Sequence, residues 1–152
     1  MKNLHFIFFL IISIIKKIYS DKSMTIYLAL ESELKQIVIN NQTQNILSYT
    51  QNELSDINLI KKFTFIISYN SSLKINITTS LENSTLAAFI INNDASDSFY
   101  FSSSFSNWKC NGTELNFISL VRDYIWYKNK RIPPLASVIQ CINGTDFYFS
   151  EQ

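Results

Sequence analysis

Histidine is almost missing from this sequence. The single one, His5, lies in an N-terminal segment that reads as cleavable. What remains has no imidazole to act as a general base, to activate a serine or cysteine, or to ligate zinc. Glycine is scarce too. Gly112 and Gly144 are the only two, each inside an Asn-Gly-Thr triplet, so no Gly-rich phosphate-binding loop exists. The two prolines are adjacent, Pro133-Pro134. An excess of charge of either sign is also lacking, with a formal net charge of +1, which leaves no field to attract nucleic acid. The acidic residues are scattered. Asp94 and Asp97 are close, but they sit in a Ser/Asn-rich turn without calcium-loop spacing. These absences point away from an enzyme and from any cofactor or metal. A hydrolase built on two distant carboxylates is the weakest surviving alternative.

The first feature present is Met1–Ser20. Lys2 supplies a positive start, Leu4 to Ile15 is apolar except for His5 and Ser13, and Ser20 offers a small residue at a cleavage point. The run is too short to span a bilayer, so it reads as a secretory signal. Lys16 and Lys17 close to that point keep an uncleaved signal anchor open as the alternative. No second apolar stretch of spanning length follows, so no membrane span is expected after cleavage. The remaining 21–152, about 132 residues (152 less 20), is enough for one domain with a sizeable core.

From Met24 onward the pattern is short β runs divided by polar turns: 25–30, 36–39 and 45–49, with Asn40-Asn41-Gln42-Thr43 as a turn. Leu54, Ile57 and Ile60 give 53–62 helical spacing, read as a short helix or a turn. Phe63, Phe65, Ile67 and Tyr69 alternate with Thr64, Ile66, Ser68 and Asn70, then Leu73, Ile75 and Ile77 with Lys74, Asn76 and Thr78, as strands with one wet face do. Leu86 to Ile91 and a run from Ser98 that contains Phe99, Phe101 and Phe105 follow. Residues 115–127 fit either a helix or a strand face. β-branched and aromatic content favours two strands. Turn signals every 8–12 residues or so predict an all-β, single-domain antiparallel sandwich, jelly-roll/galectin-like or immunoglobulin-like, with one or two short helices.

The stretch from Trp108 to Phe149 organises the rest. It contains the only cysteines, Cys110 and Cys141, each beside an Asn-Gly-Thr triplet. An even number of cysteines in an exported chain predicts a Cys110–Cys141 disulfide. Asn-Gly between apolar runs predicts two-residue hairpins with φ > 0 at both turn positions. On that basis Ala136–Ile142 and Thr145–Phe149 are expected to close the chain as a hairpin, with Trp108 packed on the disulfide.

Six asparagines begin an Asn-x-Ser/Thr acceptor triplet: Asn41, Asn70, Asn76, Asn83, Asn111 and Asn143. Most fall at predicted turns. Asn70 and Asn76 fall on the polar face of their strands, which predicts Lys74 and Asn76 outward and Ile75 and Ile77 inward. Glycans at Asn70, Asn76 and Asn83 would shield one region and leave binding to another.

Ile125-Trp126-Tyr127-Lys128-Asn129-Lys130 resembles the tryptophan-bearing strand of immunoglobulin variable-type domains, and Trp126 lies between the two cysteines as that family requires. The second cysteine follows too soon, however, and no Tyr-x-Cys precedes Cys141. Residues 122–132 are equally similar to strand-turn-strand hairpins of galectin-like and laminin-G-like jelly rolls. Neither resemblance carries a site across. Trp126 is either a core tryptophan or, with Arg122, Tyr124 and Lys128 on one strand face, a candidate binding face of hot-spot residue types. The expectation is a secreted, non-catalytic glycoprotein that binds an extracellular protein or receptor. A carbohydrate-binding, lectin-like module is the alternative.

Overall fold

In an antiparallel pair, side chains alternate between faces, so a strand with one apolar face must bury it against a second layer. That requirement is met here by two packed sheets. The computed structural model describes residues 7, 10–12, 21–55, 59–68, 71–94, 99–102, 107–120 and 137–151. One sheet runs, edge to edge, β4 (Lys61–Ile67), β1 (Lys22–Leu30), β6 (Thr85–Asn92), β10 (Ser137–Ile142) and β9 (Glu114–Leu120), with β7 (Phe99–Ser102) also on β6. The other runs β3 (Gln42–Thr43), β2 (Leu34–Ile39), β5 (Lys74–Thr79), β11 (Asp146–Ser150) and β8 (Trp108–Cys110). The protein is an all-β sandwich, and every pairing among the described residues is antiparallel.

The two sheets are joined in an informative way. Strands β1, β6, β10 and β9 of one sheet continue directly into β2, β5, β11 and β8 of the other, or arrive from them. The registers Leu30↔Leu86, Gln140↔Thr85, Leu34↔Thr79 and Thr78↔Asp146 put all four crossings at the same end. The sandwich is therefore, at its centre, one four-stranded sheet folded over on itself. Hydrogen bonding continues through the fold line. Glu31 N donates to Thr85 O (3.2 Å), Ser80 N to Glu33 O (3.0 Å), Thr79 N to Thr145 O (2.9 Å) and Thr113 N to Ile142 O (2.8 Å). The buried hydroxyls of Ser32 and Ser84 share a 2.6 Å bond there.

Between the sheets lies one apolar cluster, to which β1 gives Met24, Ile26, Leu28 and Leu30 and β4 gives Phe63, Phe65 and Ile67. Ile75 and Ile77 point inward beside Phe147 and Phe149, while Lys74 is exposed and Asn76 half-buried on the outer side, as the alternation predicts. Trp108 is in the core. Its described ring contact is Phe149, at 5.4 Å between centroids. Ile77→Ala is expected to cost about 3 kcal/mol, because transfer free energy and a residual cavity add. Asn76→Ala, whose Oδ1 is buried with no partner among the described residues, should change stability by less than about 0.5 kcal/mol. Urea denaturation of the two variants side by side checks the register.

Strand β6 departs from the one-wet-face pattern. Leu86, Ala88 and Ile90 face the inter-sheet core, but Ala87 and Phe89 on the opposite side are also buried, Phe89 to 1 % exposure, with Ala29 beside them and Tyr27 stacked 4.7 Å from Phe89. The continuous apolar run Leu86–Ile91 is what a strand buried on both faces looks like.

Three local expectations are corrected. Residues 45–49 are not a strand, because Asn45 Oδ1 accepts from Leu47 N (2.8 Å) and makes a side-chain-closed turn. The segment then sends Tyr49 to the edge of β4, where its hydroxyl donates to Lys62 O (3.2 Å) and accepts from Lys62 N (2.8 Å), blunting an open edge. The helix expected over 53–62 is α1 (Gln51–Ser55), and Lys61 and Lys62 belong to β4. A capping box sets its start: Thr50 N donates to Glu53 Oε2 (2.7 Å) and Glu53 N to Thr50 Oγ1 (3.3 Å). The bond from Thr50 N foremost, and then one from Thr50 Oγ1 to the same Glu53 Oε2 (2.9 Å), hold the Glu53 carboxyl below its usual range, so its help to the helix is present above the unfolded carboxylate pKa and fades as pH falls through the folded value. Third, β10 and β11 are not a hairpin, since they lie in different sheets.

Candidate functional site

The corner formed by the two Asn-Gly-Thr triplets is the most heavily bonded piece of the fold line. Cys110 at the end of β8 and Cys141 in β10 are joined by a disulfide with 5.7 Å between Cα atoms. The bond therefore ties one sheet to the other, rather than two neighbouring hairpins. Neither glycine has positive φ, so neither triplet forms the expected type of two-residue turn. Asn143 alone at this corner takes the left-handed conformation, with φ 55°. The glycines serve by being small. A Cβ on Gly112 would run into Ile142 O and come within 2.9 Å of Gly144 N, and one on Gly144 would lie 2.6 Å from Cys141 Sγ. Two backbones touch here, which only glycine allows.

The asparagines behave differently from one another. Asn111 Oδ1 accepts from both Thr145 N and Asp146 N (3.0 Å each), and its Nδ2 donates to Asp146 Oδ2 (2.9 Å). Asn83 Oδ1 accepts from Asn143 N (2.9 Å), which couples two acceptor triplets across the fold line. Asn143 Nδ2 makes one long 3.5 Å bond to Thr113 Oγ1. Asn41 is exposed at the tip of the β2–β3 turn, where it and Asn40 both have positive φ. Asn76 lies mid-sheet, and Asn70 lies outside the described residues.

The candidate face from the sequence, Arg122, Tyr124, Trp126 and Lys128, also lies outside the described residues. Another face with the same mixture of residue types is described. Across the outer side of the five-stranded sheet, register places Thr43, Val38, Asn76, Tyr148 and Lys109 in one row, one residue from each strand. The next row holds Gln36, Thr78 and Asp146. Tyr148 stands beside the edge residue Lys109, 39 % exposed, on a strand paired along both sides. Its hydroxyl is 3.5 Å from Asp146 Oδ2. Partial burial first, and the Asp146 charge second, push the phenol above its usual pKa, so Tyr148 is a neutral ring at physiological pH.

Such a row presents an aromatic surface, an ammonium at Lys109, amides and hydroxyls on a rigid support. Reasoning from sequence missed it because Asn76 and Tyr148 come together only through the β5–β11 register. The one available signal was Tyr148 between the apolar, inward Phe147 and Phe149. The described edge β9 adds Phe117 and Ile118, both exposed. Comparison with known proteins found no matching family model, no matching characterised protein and no matching solved structure.

Proposed function

We propose that this is a secreted, N-glycosylated protein that acts without catalysis, by binding another extracellular protein or a receptor. The observation that carries the reading is Tyr148, a large ring held outward in a row with Lys109 and Asn76 by strands paired on both sides. Tyrosine is among the residue types that dominate measured hot spots, and a ring already fixed on a sheet loses little entropy on binding. The inter-sheet disulfide supports export, since such bonds persist in oxidising compartments. The N-terminal segment supports it as well. Its described residues, Ile7, Leu10, Ile11 and Ile12, are helical, partly exposed and outside the core cluster. Among the described residues no helix is long and apolar enough to cross a membrane.

A glycan on Asn76 would cover Tyr148, its cross-strand neighbour, so binding through this face takes Asn76 as bare. Its half-buried position and shut-in Oδ1 support that. Tyr148→Ala should leave the fold intact, since the ring is outside the core. It should weaken capture of a partner from extracellular fluid by roughly thirtyfold, the size of a 2 kcal/mol hot spot. Equal capture by parent and variant would remove the face from the proposal. A second reading, carbohydrate binding, draws on the same row, because an aromatic ring ringed by Asn76, Thr78 and Asp146 offers both stacking and hydrogen bonding to a sugar. A glycan-array signal that survives deglycosylation of the protein and is lost in Tyr148→Ala would select it.

A further inference from the structure

The six acceptor triplets look alike in sequence, but the described amides do not face the same surroundings. We infer that Asn111 carries no glycan in the folded protein, its amide serving instead to close the fold-line corner, and that Asn41 and Asn83 are open acceptor sites. This rests on the exported, glycosylated reading above.

A glycosylated asparagine is a secondary amide, and a trans secondary amide places the carbon on nitrogen on the same side as the carbonyl oxygen. The sugar therefore replaces the hydrogen that shares an edge with Oδ1. In Asn111 that edge faces one residue. Oδ1 accepts from Asp146 N at 3.0 Å while Nδ2 donates to Asp146 Oδ2 at 2.9 Å. The backbones are paired at the same point, with Asn111 N donating to Asp146 O at 3.1 Å. Asp146 also has little freedom to move aside, because its backbone is paired with Thr78 of β5 and its Oδ1 is enclosed by its neighbours. A sugar on Asn111 would break the Nδ2 bond and push Asp146 out of the corner next to the disulfide. A chain that received one before folding could not close the corner, and would be missing from the folded fraction.

Asn41 and Asn83 present the opposite arrangement. Both are exposed turn residues in the left-handed conformation, with φ 65° and 59°. The Asn83 side chain is held through Oδ1, by Asn143 N, and its backbone oxygen accepts from Gln140 Nε2 (2.7 Å). Among the described residues no hydrogen bond uses the amide nitrogen of either. Asn143 stands between the two cases, with its single long bond to Thr113.

The test is a site-by-site map of glycan occupancy in the secreted, disulfide-bonded protein, made by enzymatic deglycosylation in heavy-oxygen water. Labelled aspartate is expected at positions 41 and 83 and not at 111. Label at 111 in the folded fraction overturns the inference. Label at no position overturns the glycosylation reading itself, and the assignment of Asn41 and Asn83 falls with it. The corner role is read separately, on unglycosylated protein. Asn111→Gln is expected to lower the melting temperature by about 5 °C or more, and Asn41→Gln by less than about 2 °C. Equal melting of these two variants would overturn the structural half even if position 111 were bare.

Discussion

Replacing Cys110 and Cys141 together by alanine is expected to remove about 4 kcal/mol of stability and to lower the melting temperature by roughly 10–15 °C. The bond closes a loop with a sequence separation of 31, and the chain-entropy model assigns a loop of that length about 4 kcal/mol. Its position adds to the effect. Cys141 is fully buried in the inter-sheet cluster, and Cys110 packs against it, so the bond ties the two layers at the corner where β8 becomes β9 and β10 becomes β11. In a domain whose total is about 5–15 kcal/mol, the loss leaves a protein that still folds at room temperature but with a thin margin. Thermal unfolding followed by circular dichroism measures it. A change below about 1 kcal/mol would mean that the hydrogen bonds across the fold line hold the sheets together unaided.

Gly112→Ala is expected to be more damaging still, costing more than about 4 kcal/mol and in practice preventing accumulation of folded protein. The obstacle is not conformational, since φ at Gly112 is not positive. The new methyl would enter Ile142 O, the carbonyl that accepts from Thr113 N, and lies against Gly144 N. Backbone cannot move away as a flexible side chain can, so the two crossings would have to separate, stretching the disulfide and the Asn111–Asp146 bonds together. Gly144→Ala meets Gly112 N, Asn111 Oδ1 and Cys141 Sγ and should behave alike. Expression yield and melting of the two single variants decide the matter. Parent-like melting of either would show that the crossings lie further apart than the structure places them.

The strand faces were legible because burial imposes period 2. Phe63, Phe65 and Ile67, Ile75 and Ile77, and Phe147 and Phe149 face the core where alternation puts them. The disulfide was legible from number and setting. Which sheet a strand joins was not. An apolar alternation reads the same whether the chain reverses beside its last strand or folds over to the other layer, so the β10–β11 crossing has the sequence pattern of a hairpin. Asn-Gly misled for a related reason. It marks a turn, and at this corner glycine was needed for close approach rather than for positive φ. Two signals were present and underused: the Thr50-Gln51-Asn52-Glu53 capping box, and the unbroken apolar run Leu86–Ile91 that marks a strand covered on both faces. The Tyr148 face could not be read at all without the pairing of β11 with β5 and β8.

The claim beneath all of this is export through an oxidising, glycosylating route, and one measurement reaches it directly. The full chain is expressed in a secreting eukaryotic cell, and intact mass is taken on protein from the medium before and after enzymatic deglycosylation, with thiol titration of the denatured, unreduced sample. The expected result is a chain that begins at Asp21, loses glycan mass on treatment and shows no free thiol. Protein held inside the cell, still carrying residues 1–20, with no glycan mass and two titratable thiols, would contradict the account.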